Sequence, residues 1–180
     1  MLEQLADYAR PVLDLPPVRR TRRNHGLEHA TIHLLSGKKY RLSGRSSASG
    51  FLLFGDVRTE DVDEAAHEAL RRMRGGEHNL AVHPNCGTNL VTSGLLTSLI
   101  AMLSLSGTSR RESFNRLPLM MVLMMFTVLF SQPLGMSLQR YFTTDGNPAD
   151  LEILRITRSE MRTPFSSRPV TVHHVATRSS

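Results

Sequence analysis

Apolar positions in this chain are gathered into blocks, with dense charge between them. Residues 87–109 and 117–139 each run 23 residues without Asp, Glu, Lys or Arg. A bilayer span needs about 20 apolar residues, so both stretches predict transmembrane helices. The first contains Thr92, Ser93, Thr97, Ser98 and Ser104. The second is Met/Leu/Phe-rich and apolar on every side, where a soluble helix keeps a polar face. Pro133 is expected to kink or end it. A buried helical hairpin in a soluble protein is the competing reading.

Outside these blocks the patterns are shorter. Residues 1–23 predict a short helix, a turn at Pro11, Pro16 and Pro17, and a basic run of Arg19, Arg20, Arg22 and Arg23. Asn24 is a candidate N-cap for a helix reaching about Leu35, closed by Ser36 and Gly37. Residues 39–43 and 50–55 read as strands, and the Gly/Ser-rich link 44–49 as a hairpin turn or loop. Thr59 is the expected cap of an amphipathic helix with Glu60 and Asp61 at its start and Arg71, Arg72 and Arg74 at its end. Its apolar stripe is Val62, Ala66, Ala69, Leu70 and Met73, and Gly75 with Gly76 stops it. Residues 80–82 read as a short strand, as do 151–158 and 170–175, and the last five residues as a loose end.

The fold class expected is α+β, a small mixed helix/strand domain joined to a two-helix transmembrane hairpin. Residues 1–23 form a basic N-terminal segment and 24–88 the α+β domain. The hairpin occupies 89–139. Residues 140–180 supply strands that return to the same domain, and the tail.

Composition adjusts this picture in three ways. The mean hydropathy of −0.20 suggests a soluble protein only because charged and apolar blocks average out. One cysteine, Cys86, excludes an internal disulfide and fits a reduced compartment. A net charge of +6 invites nucleic acid, but the arginine run has no interleaved aromatics and no DNA- or RNA-binding signature follows it, so nucleic acid is the disfavoured partner. Membrane lipids fit the basic clusters better, with a protein partner as the alternative. The N-terminus shows no signal peptide. The loop between the apolar blocks holds Arg110, Arg111 and Arg116, which favours a cytoplasmic loop, whereas thirteen Lys and Arg before residue 87 favour a cytoplasmic N-terminus. Moving the short loop is easier than moving the whole N-terminal part, so both termini of a multipass cell-membrane protein are placed in the cytoplasm.

Candidate chemistry concentrates in two motifs. His25-Gly26-Leu27-Glu28-His29 has the order His-x-x-Glu-His. On a helix His25, His29 and His33 share one face. Two imidazoles so spaced can grip one metal ion, and Glu28 could act as a base, inverting the His-Glu-x-x-His zinc motif. His33 lies two turns from His25 and reads as a packing residue. The second motif, His83-Pro84-Asn85-Cys86-Gly87, adds an imidazole and a thiol. Zinc suits a His25/His29/His83/Cys86 set. Filled wholly by protein it is structural, whereas three ligands leave a catalytic position. The plain alternatives are a polar cluster around Glu28, and a capped helix start with Asn85 or Thr88 as cap and Cys86 simply buried. His67, His78, Glu64 and Glu68 read as solvated surface.

The two motifs in this order, ahead of apolar helices, resemble the bacterial membrane-protein family DUF6391 and are distantly similar to the DUF1385 (YqhQ-like) family. Ala30 and Asn89 depart from the DUF1385 pattern. The resemblance implies a multipass membrane protein and supplies no reaction. Two functions stay open: a membrane scaffold or partner-binding protein with a polar or metal site, and a zinc-dependent, peptidase-like membrane hydrolase with Glu28 as catalytic base. A reversible metal or ligand sensor is a third.

Overall fold

The computed structural model describes residues 2–162 and 169–180. The chain forms two compact units, one joining Met1–His83 to Arg140–Ser180 and the other made of Pro84–Gln139. The architecture is mixed helix and strand, with a four-stranded sheet and five α-helices.

The first unit begins with α1 (Leu2–Leu13) and α2 (Pro16–Gly37). Pro16 and Pro17 sit at the first positions of α2, where a missing N–H costs nothing. The arginines that follow are good helix formers, so the helix runs unbroken through them. Asn24 is therefore inside the helix and is not its cap. Its buried amide donates to the Ser47 carbonyl and accepts from the Thr177 hydroxyl.

Next come β1 (Ser43–Ser47), β2 (Gly50–Phe54) and α3 (Thr59–Arg74). The polar link expected as a loop is mostly strand β1, and the turn shrinks to Ala48 and Ser49. Thr59 is the first residue of α3 and Arg58 precedes it as cap. The Thr59 hydroxyl instead meets Nε2 of His173 at 3.0 Å. The expected strand at 80–82 is replaced by a single 3-10 turn, His78–Ala81. After a π-turn (Gln139–Thr143), β3 (Glu152–Met161) and β4 (Val170–Arg178) complete the sheet in the order β1-β2-β4-β3, every pair antiparallel.

The end of the chain is not loose. β4 continues through Ala176 to Arg178, with Ala176 and Thr177 buried and the Ser180 N–H bound to Asp150. The core gathers Leu27 and Leu35 from α2, Phe51 and Leu53 from β2, Val62 and Met73 from α3, and Val175 from β4.

The second unit consists of α4 (Gly87–Leu105) and α5 (Arg110–Leu138), both long and apolar enough to cross a membrane. Ser109 and Glu112 form a capping box at the start of α5. Pro133 does not end that helix. The two helices meet along a polar seam. Ser93 bonds Ser131, Gln139 donates to Asn89, and Gly135 lies so close to Asn89 that a Cβ would overlap the amide. Small and hydrogen-bonding residues of this kind bring apolar helices together where no hydrophobic force between them exists. Leu95, Leu99, Met102, Met121, Met125 and Phe130 remain exposed on their outer surfaces.

His173, fully buried in β4, offers a pH readout of the sheet. Burial, then the nearby Arg158, holds its pKa below the ordinary 6.5, with Glu60 opposing. The unfolded chain thus takes up this proton first as pH falls. The stability is complete above pH 6.5 and is lost as pH drops through the folded pKa, by at most about 1.4 kcal/mol per pH unit. Urea midpoints between pH 8 and 5 should fall less steeply in His173→Gln than in wild type; equal slopes would show that His173 titrates normally.

Candidate metal-binding site

Residues 24–32 are buried almost without a break, although five of the nine are polar or charged side chains. Such residues lie inside only when their hydrogen bonds are supplied. α2 obtains them from three directions within its own unit.

The segment after the π-turn runs against α2 at Gly26. A Cβ there would collide with the Asp145 carbonyl and touch Ala81, so only glycine permits this approach. Asp145 N–H bonds the Arg22 carbonyl at 3.0 Å, and the Arg22 guanidinium reaches the carbonyls of Tyr141 and Thr144. This brings the Thr143 carbonyl within 2.9 Å of His25 Nδ1. The 3-10 turn supplies the second direction, with the Ala81 carbonyl 2.8 Å from His29 Nδ1.

A carbonyl only accepts, so Nδ1 carries a hydrogen in both rings, and in the neutral imidazole the lone pair is on Nε2. This is the arrangement in which protein-bound imidazoles ligate metals, the other nitrogen being tied to a carbonyl or carboxylate. The two rings lie 4.3 Å apart, edge to face. His83 lies 5.9 Å from His29, ring to ring. Burial, followed by the neighbouring His29 and His33, lowers the His83 pKa.

The third direction is β1. Glu28 accepts a hydrogen bond from the Ser46 hydroxyl, and its carboxyl fills the place a side chain would occupy at Gly44. Burial raises its pKa, against the lowering effects of Ser46 and His25. Glu28 thus leans on the sheet while the imidazoles bond the Thr143 and Ala81 carbonyls.

Cys86 belongs to the second unit, where it is the N-cap of α4 in place of Asn85 or Thr88. Its sulfur accepts the Thr88 N–H at 3.4 Å. Within the first unit, His25 and His29 place their ligand atoms close enough together to hold one metal ion. His33, His67, His78 and Glu64 are exposed and Glu68 is half-buried, with Glu64 paired to Lys38 and Glu68 to Arg71. The orienting carbonyls escaped the sequence reading, because any residue supplies one. Gly26, a glycine in mid-helix, was the visible trace.

Gly26→Ala tests this packing. The added methyl should cost about 1–3 kcal/mol through forced separation of α2 from residues 143–146, whereas Gly37→Ala, with open space around it, should not destabilise. Thermal unfolding of both variants decides, and equal melting temperatures would show that the approach at Gly26 is not needed.

A family model described as "Domain of unknown function (DUF6391)" matches residues 20–156. An uncharacterized protein of Picosynechococcus is 42% identical over 91 residues, a match covering 44% of this chain and 44% of the relative's own length. No solved structure matches the chain.

Proposed function

The chain belongs to the DUF6391 family, and from that premise and the geometry of α2 we propose that it is a multipass membrane protein whose His25 and His29 hold a divalent transition-metal ion. The observation that carries this reading is the pair of Nδ1–H···O=C hydrogen bonds, which fix both imidazoles with Nε2 as the ligating nitrogen. Imidazole nitrogen suits zinc, and His83, which lies in the same unit with its ring 5.9 Å from that of His29, is the favoured third donor. A set filled by protein donors leaves no position for a substrate and stabilises the fold. The protein then serves as a membrane scaffold or partner-binding protein, with α4 and α5 crossing the bilayer, its basic segments facing lipid headgroups, and both termini in the cytoplasm.

A zinc-dependent hydrolase is the second reading, and one observation favours it. Burial raises the Glu28 carboxyl, the direction a proton acceptor working near neutral pH requires. The metal would supply Lewis acidity, and Glu28 would hold the proton. Against this, the carboxylate already accepts from Ser46.

Elemental analysis of the detergent-purified full chain tests both readings. We expect about one zinc per chain in wild type and Glu28→Gln and none in His29→Ala, as a histidine ligand set requires. Folded wild type without metal would overturn the metal site. Peptide hydrolysis by wild type, lost in Glu28→Gln with zinc retained, would replace the scaffold by the hydrolase.

A further inference from the structure

β1 is an edge strand, and its outward main-chain groups can be identified from the register. Gly55 donates to Thr171 and Thr177 donates to Ser49, so odd-numbered residues around β2 turn their polar groups toward β4. The even-numbered Gly50, Leu52 and Phe54 therefore face β1, and their register partners Ser47, Arg45 and Ser43 are used in that pairing. The N–H and C=O of Gly44 and Ser46 are left pointing away from the sheet. Among the described residues no backbone hydrogen bond engages them.

Edge strands are templates for another strand unless a bulge, a proline or a cover blocks them; β1 has neither bulge nor proline, and four of its five residues, all but Ser46, are exposed. Charge selects the partner. Between Glu28 and Asp56 the sequence has no acidic residue, while Lys39, Arg41 and Arg45 are exposed with no ion-pair partner among the described residues. Those cations repel a second copy of β1 and attract an acidic strand.

We propose that the open edge of β1 receives an extended, acidic peptide segment of a partner protein as an added strand, its main chain paired to Gly44 and Ser46. Main-chain bonds give such a complex its affinity and side chains its selectivity. The docked segment lies beside Glu28, which touches both edge residues. This gives the partner-binding part of the proposed function a chemical class, and it holds whether or not α2 carries a metal.

Fluorescence anisotropy with the full chain in detergent tests it, using a labelled peptide of alternating Glu and Val. Comparators are the Lys/Val peptide and the Glu/Val peptide N-methylated at alternate residues. The acidic peptide should bind, more weakly as salt rises, and the comparators should not. Ser46→Pro, which deletes an outward N–H, and Arg45→Glu should each weaken binding at least ~10-fold, equal to about 1.4 kcal/mol. Ser46→Thr keeps both the N–H and the hydroxyl that meets Glu28 and should bind as wild type does. No binding by wild type, or binding indifferent to Ser46→Pro or to N-methylation, would overturn the proposal. So would a wild-type dimer that Ser46→Pro dissociates, because β1 would then be pairing with itself. Zinc content measured on the same samples separates failure here from failure of the metal site.

Discussion

The absence of a side chain at Gly26 sets how near the chain after the π-turn can come to α2. From that contact follow the Asp145–Arg22 main-chain bond, the gathering of Tyr141 and Thr144 carbonyls by Arg22, and the reach of the Thr143 carbonyl to His25. Each is a backbone group that would otherwise need water, and each is satisfied by α2. One helix position thus orients an imidazole and closes the end of the unit.

α2 also reconciles two opposed demands. Its apolar side, with Leu27 and Leu35, must enter the core, yet Asn24, Glu28 and His29 are carried inside with it. An unpaired buried carboxylate would be expensive, and Ser46 with bare Gly44 provides both a donor and the room. The raised pKa of Glu28 is the remainder of the burial cost that these contacts do not offset.

What could be read from the sequence followed periodicity. α3 has a continuous 3.6-residue stripe and charges matched to its ends, and it formed where that pattern lies, with only its cap displaced. The apolar blocks became α4 and α5 because length and composition alone decide such helices. β1 was hidden, since Ser-Gly-Arg-Ser-Ser has no apolar residue and is a strand only through pairing with β2. The start of α2 was hidden by Asn24, whose capping chemistry is spent on Ser47 and Thr177. The final strand residues looked like a frayed end because the partners that bury them lie far back in the sequence. The histidine motif was visible, but the carbonyls that select its tautomers were not.

The sheet places β4, the last strand made, between β2 and β3, with β2 separated from it by the whole of α4 and α5. During synthesis β2 emerges with one of its two neighbours absent and must wait until more than a hundred further residues have followed. Both apolar helices leave the ribosome within that interval. Completion of the sheet therefore follows synthesis of both apolar helices, and a ribosome that stalls after α5 leaves a nascent chain whose β2 lacks its second neighbour. For this topology, quality control has a defined window in which an incomplete chain is recognisable by the open edge of β2.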